Sequence, residues 1–301
     1  MPTQAEIREL NETLFEQLDT PGMQKQATDA VNDFTRTRMR EDGFYRKILP
    51  ALTITNAELD KQVDTDKPVK VVEKEPDSPA AVSMPFATLP LSFYIRGPKY
   101  RVAFDRIVSP RALKDVEELR TYTMDIRQVL SDNMLKDMMA EEDSKFIQAF
   151  NAVLLGRDTV VPLSGIAQWQ TIEGGITRET VVDATKIMPK TPSHFEVATV
   201  LTNNITIKEI LKWGRDEMGG DFSQDLIKNG WAQTRFLNLD WIITDDSIFM
   251  FGDPKTIGKS FLLEDVTMYV KREAFMLEYF SYETLGGSFG HTNALARVDF
   301  R

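Results

Sequence analysis

The sequence contains no cysteine and only two histidines among 301 residues. Without cysteine there is no disulfide, thiol nucleophile or thiolate metal site, a usage that suits a reducing compartment. His194 and His291 stand far apart, with no histidine or carboxylate at ligand spacing from either, which argues against zinc and against a nucleophilic triad. Basic charge is also short: 36 Lys and Arg against 46 Asp and Glu leave a net charge of −10. A surface built to grip DNA or an anionic membrane through phosphates is therefore not expected; acidic balance favours solubility, or repulsion from nucleic acid held nearby. No apolar run approaches the roughly 18 residues of a membrane span, and the polar, acidic residues 1–19 do not resemble a signal peptide. The chain is expected to be soluble and intracellular when made.

What is present is a 42% hydrophobic content, enough for one large core or two modest ones. Residues 5–18 and 22–40 have helical spacing, with Ile7, Leu10, Leu14 and Phe15 on the first stripe and a break at Pro21-Gly22. The first of these is charged enough to be an arm lying on something else. From 44 to 109 the pattern is extended, and Phe93, Ile95, Tyr100, Val102, Phe104 and Ile107 flank Arg96-Gly97-Pro98-Lys99, which predicts a β-hairpin or a kinked strand. Within this region residues 61–86 have the charge and proline of a tether, yet carry Val63, Val69, Val71, Val72, Val82, Met84 and Phe86. An isolated two-stranded ribbon is marginal in water, so these apolar side chains are expected to need a neighbouring subunit.

The strongest local signal follows. Over 114–155 apolar residues recur at three- and four-residue steps, among them Ile126, Met134, Met138, Phe146, Ile147, Phe150 and Leu154, with no Pro or Gly to interrupt them. This predicts one spine helix of about 60 Å, which Ser131-Asp132-Asn133 would bend or recap. Beyond it the spacing predicts helices over 177–188, 206–218 and 221–229, a buried strand over 195–201, and strands over 235–244, 247–251, 261–269, 274–284 and 294–300.

Chemical motifs are sparse. Gly252-Asp253-Pro254-Lys255-Thr256-Ile257-Gly258-Lys259-Ser260 ends like a phosphate-binding loop, but five residues separate its glycines and Asp253-Pro254 puts an anion and a missing N–H where donors are needed. A turn between strands is the expectation. The acid pairs Asp245-Asp246 and Glu141-Glu142 read as solvated faces. Trp169, Trp213, Trp231 and Trp241 read as core or interface anchors. No catalytic residue, cofactor or metal is assigned.

The order of these elements, together with "FYRKILP", "VDTDKPVKVVEKEPDS", "YIRGPKYRVAFDRIVSPR" and "LNLDWIITDDSIFMFGDP", resembles the major capsid proteins of tailed bacteriophages with the Hong Kong 97-type fold. The resemblance runs from about residue 30 to the end and lies in the order of weak motifs. It implies an α+β chain divided into an N-terminal helical arm (1–40), an extended β loop with its flanking strands (41–105) and a peripheral domain with the spine helix (106–193). An axial α/β domain (194–265) and C-terminal strands returning to the peripheral sheet (266–301) complete it. It further implies a non-enzymatic virion shell protein that forms hexamers and pentamers around packaged double-stranded DNA, bound without sequence specificity and without a membrane. Assembly would take place in the host cytoplasm. Portal and decoration proteins would be further partners, and the short arm implies a separate scaffolding protein or none. Inter-subunit contacts are expected at Val69, Val71, Val82, Met84 and Phe86, with Asp66, Lys70 and Glu73 setting register. Two alternatives stand beside this reading: an encapsulin-like nanocompartment shell, and a nucleotide-binding enzyme using Gly258-Lys259-Ser260.

Overall fold

The computed structural model describes Thr13 and residues 43–61, 66–74, 83–115 apart from 87, 91, 93 and 95, then 118, 126–158, 168–213 apart from 192 and 211, 235–244 and 248–300. The helix expected over 221–229, Asp245-Asp246, Val63, Val82, Trp231 and all of the arm except Thr13 lie outside the described residues.

Where extended chain is expected, Phe44–Ile48 forms a short helix, α1, leading into strand β1 (Ala51–Thr53). Gly43 offers no side-chain cap; instead Asp143, distant in sequence, accepts the Tyr45 N–H at 3.0 Å, so a tertiary partner satisfies a helix-start donor. Strands β2 (Val69–Glu73) and β3 (Lys99–Ala103) pair antiparallel, with Val69 opposite Ala103 and Glu73 opposite Lys99. Residues 99–103 thus pair with 69–73 rather than closing a local hairpin at Arg96-Gly97-Pro98. After Phe104 the chain continues as β4 (Asp105–Val108), which agrees with a kinked strand, and then β5 (Ala112–Asp115).

The spine, α2, runs unbroken over Ile126–Asp158, 33 residues or about 50 Å. Its predicted start at 114 is wrong, because Lys114 and Asp115 belong to β5 and face Leu277 and Met276 across a ladder. Ser131-Asp132-Asn133 does not interrupt it. There follow β6 (Trp169–Ile172), α3 (Arg178–Thr185), β7 (Thr199–Asn203), α4 (Asn204–Ile210), β8 (Arg235–Phe236), β9 (Leu239–Thr244), β10 (Ile248–Phe251), α5 (Pro254–Ile257), β11 (Gly258–Glu273), β12 (Met276–Phe289) and β13 (Leu295–Phe300). Thr177 caps α3 through a reciprocal pair of hydrogen bonds with Thr180. The single strand expected over 235–244 is a hairpin, β8 with β9, turned at Leu237 and Asn238, whose φ values of 53° and 61° are those of a tight two-residue turn.

Among the described residues there are three sheets. A six-stranded sheet has the order β6-β13-β10-β7-β9-β8; a second has β1-β11-β12-β4, with β5 continuing along β12; β2 and β3 form the third. The last strand, β13, therefore joins β10 and β6, whereas β12 pairs with β4 and β5. The two halves of α2 serve different layers. Phe146, Ile147, Phe150 and Leu154 enter the main core with Trp241, Met250, Phe251, Leu295 and Val298, where Phe146 stacks on Phe251 at 5.6 Å and Phe150 meets it edge-on at 4.9 Å. Leu135 and Met138 pack with Ile107 and Val266 under the long β11–β12 hairpin.

Candidate assembly surface

The ribbon is rooted by charge that is fully buried. Arg46, on α1, donates from Nε to both Glu142 oxygens at 3.2 and 3.1 Å and from Nη2 to Glu142 Oε1 at 2.6 Å; the same Nη2 reaches Glu283 Oε2 on β12 at 2.8 Å. Asp265, on β11, stands 3.7 Å from Nη1. One guanidinium thus ties α1, α2 and both strands of the hairpin together. Burial, helped by the Glu142 charge, pushes the Glu283 carboxyl well above the usual carboxylate range. Burial likewise pushes Asp143 up to about 7, against the Tyr45 N–H bond that favours its anion. The reading of Glu141-Glu142 as a solvated pair is corrected here: Glu141 is exposed, but Glu142 is 1% exposed. The signal was available, since Glu142 stands four residues after Met138 and four before Phe146, on the apolar stripe itself.

Beside this clasp, the bare Gly286-Gly287 backbone lets two elements approach β12. A Cβ at Gly287 would meet the Tyr45 hydroxyl at 2.3 Å, and one at Gly286 would meet the Ala103 carbonyl oxygen at 2.7 Å. Tyr45 and Ser260 share a hydrogen bond of 2.6 Å through their hydroxyls. A cavity of about 130 Å³ remains here, lined in part by Tyr45, Asp105, Glu142 and Lys145.

From this root the ribbon divides. Val69 departs from the expectation of a neighbour's contact: it is 1% exposed, and Val72 is buried with Ile54, Val102, Phe104 and Phe261 of its own chain. Lys70 donates to the Glu58 carbonyl at 2.6 Å, Glu73 pairs with Lys99 at 3.1 Å, and Asp66 is exposed. Outward of this small core Val71 and Met84 are 37% and 40% exposed, while Phe86, Leu89 and Tyr94 are almost wholly exposed. Such side chains, in irregular chain with two prolines, Pro85 and Pro90, find no core among the described residues.

Sequence reasoning missed a second surface. Along β12, Leu277, Tyr279, Ser281 and Glu283 point inward, where Ser281 meets Met134 at 3.5 Å. The alternate residues, Phe280 and Tyr282, lie on the outer face with Tyr269, whose ring is 4.9 Å from that of Phe280. Val108, opposite Tyr282, and Leu113, opposite Glu278, are exposed on that face, as is Phe275 at the hairpin tip. Only the burial alternation of a strand whose register is known exposes this patch.

The other motifs resolve without chemistry. Asp253 caps α5 by accepting the Lys255 N–H at 2.8 Å, and Gly258 opens β11, so the glycine-lysine-serine run is a helical turn entering a strand. His194 contacts the Pro189 carbonyl, and His291 packs edge-on against Phe195. Trp213 and Trp241 are in the core, whereas Trp169 lies half-buried beneath the Arg297 guanidinium at 4.1 Å. Among the described residues no group of acids and histidines is placed to hold a metal, and no helix is long and apolar enough to cross a membrane.

The sequence matches no protein-family model and no curated protein. Solved structures do match. The capsid of cyanophage P-SCSP1u superposes with a TM-score of 0.61 at 10% identity, over 86% of this chain and 88% of that one. The capsid of a native gene-transfer-agent (GTA) particle gives 0.55 at 14%, over 88% and 90%. A virus-like particle from Pyrococcus furiosus gives 0.56 at 12%, over 90% and 99%. The chain has the tailed-phage capsid fold of the Hong Kong 97 type. In this fold the exposed ribbon and the outer face of the β11–β12 hairpin both present apolar side chains that its own core leaves open among the described residues.

Proposed function

We propose that the chain is a major capsid protein, whose copies assemble as hexamers and pentamers into an icosahedral head around double-stranded DNA. The observation that carries this is a capsid fold over most of the chain combined with apolar side chains, Met84, Phe86, Leu89 and Tyr94, that have no core of their own. In this reading 1–40 is the arm, 41–105 the extended loop, 106–193 the peripheral domain, 194–265 the axial domain and 266–301 the closing strands. Val71, Met84 and Phe86 meet a neighbouring copy, with Lys70, Asp66 and Glu73 setting register at the edge of the contact; Val82 belongs to the same stretch. The net charge of −10 keeps packaged DNA from adhering to the wall. Scaffolding, portal and decoration proteins would be separate chains, and the particle the site of action.

The nanocompartment reading is not favoured, because the structural neighbours are mainly phage capsids. The reading gives the chain no catalytic role. Negative-stain microscopy and sedimentation of the purified chain test the proposal. Shells, tubes or capsomer rings are expected; a sharp monomer at every concentration, salt level and added scaffold overturns it.

A further inference from the structure

Three carboxylates face one guanidinium in the clasp, and the side chains of Glu142 and Glu283 have no exposed surface. Glu142 Oε1 and Glu283 Oε2 bind the same nitrogen, Arg46 Nη2, at 2.6 and 2.8 Å, which forces the two carboxyl groups close together. Two carboxylates held this near in a dry site do not both ionise. Geometry assigns the proton: Glu142 takes the broad side of the guanidinium through both oxygens, whereas Glu283 meets it through one. The other Glu283 oxygen, Oε1, finds no N–H or O–H donor among the described residues, and the carboxyl beside it is Glu142, which shares the Arg46 nitrogen with Glu283. A proton between the two acids supplies the missing donor.

We propose that the Arg46 clasp is a proton-operated latch: Glu283 is protonated while the latch is shut, and losing that proton sets two buried anions against each other and releases α1, with the root of the ribbon, from the hairpin. The charged and titratable groups around it are accounted for on every packed element. Arg46 is the cation between the three carboxylates, and Lys47, beside it on α1, acts on Asp143. On α2 stand Glu142, Asp143 and Lys145, on β4 Asp105, on β11 Asp265 and on β12 Glu283 itself, while the Tyr45 hydroxyl is engaged by Ser260. The latch is a property of the single chain, so its test does not depend on shell assembly.

An acid whose folded pKa lies above its unfolded one binds more protons folded, so its stabilising effect is complete at low pH and is lost as pH rises. Full-length protein is followed from about pH 6 to about pH 9 by hydrogen exchange at the Leu49 amide, which bonds the Tyr45 carbonyl in α1, and by the infrared C=O stretch of protonated carboxyl groups. In an Asp143→Asn background, which removes the other raised carboxyl beside α1, protection at Leu49 is expected to fall at least tenfold across that range and to stay flat once Glu283→Gln is added, which also removes a carboxyl band present at neutral pH. Glu142→Gln removes the repelling neighbour, so Glu283 ionises against Arg46 and the same band disappears. An Asp143→Asn protein with no carboxyl band at neutral pH overturns the latch, as does a band that survives when either Glu283→Gln or Glu142→Gln is added. An equal pH slope in Glu283→Gln does so too.

Discussion

The two large sheets follow opposite rules. In the six-stranded sheet the inner strand β7 is buried at successive residues, Thr199, Val200, Leu201 and Thr202, as both its faces are covered, whereas β9 beside it alternates. In the β11–β12 hairpin the inner residues Leu277, Tyr279, Ser281 and Glu283 are buried against α2, while the outer row of Tyr269, Phe280, Tyr282 and Leu113 has no helix over it among the described residues. The middle of the first sheet is covered by its own chain. The second keeps a row of half-buried and exposed aromatics on its outer face among the described residues.

The contrast can be broken by substitution. The largest effect on folding is expected in the covered sheet, where Trp241→Ala removes one of the largest fully buried side chains and should cost about 3–5 kcal/mol by chemical denaturation. Gly286→Ala tests the crossing between ribbon and hairpin. Its new methyl meets backbone at Ala103, so a loss of about 1–3 kcal/mol is expected, with faster hydrogen exchange confined to β2 and β3. On the bare face, Leu113→Ser with Tyr269→Ser should change folding stability by no more than about 1 kcal/mol yet abolish large particles in sedimentation. If that pair unfolds the chain as Trp241→Ala does, the face is structural and the contrast between the sheets collapses.

The smallest effect concerns Asp143, which supports the start of α1. Its carboxyl is raised to about 7, so its stabilising contribution is complete below the ordinary carboxylate range and is lost as pH climbs through about 7. Asp143→Asn keeps an acceptor for the Tyr45 N–H and should flatten that part of the pH–stability curve. An unchanged slope between about pH 4 and about pH 8 would show that the curve has another origin.

How much of this was legible in the sequence depends on whether the cause is local. The spine declared itself because Met134, Met138, Phe146, Phe150 and Leu154 repeat at helical spacing, and the late strands because β-branched and aromatic residues alternate between turns. The register of 69–73 against 99–103 has no local signature, since those strands meet over a long intervening segment. The short helix at Phe44–Ile48 rests on Asp143 from elsewhere in the chain, and so was read as extended. Of the contact candidates, Val71, Met84 and Phe86 are accessible, whereas Val69 was absorbed by a small local core that Ile54 and Phe261 build from opposite ends of the sequence. The outer face of β12 was invisible because one-residue alternation does not say which side will be left uncovered.

The seating of β3 on the side-chain-free backbone at Gly286 has a mechanical consequence. From Ala103 to Lys99 the ribbon rises about 3.3 Å per residue, and the chain bearing Tyr94, Leu89 and Phe86 lies beyond that. The glycine contact therefore acts as the fulcrum of a long arm. A rocking of a few tenths of an ångström at the fulcrum becomes a larger displacement at Lys99, four residues along the strand. The missing methyl at 286 is thus a matter of aim: it sets the angle at which β3 leaves the hairpin.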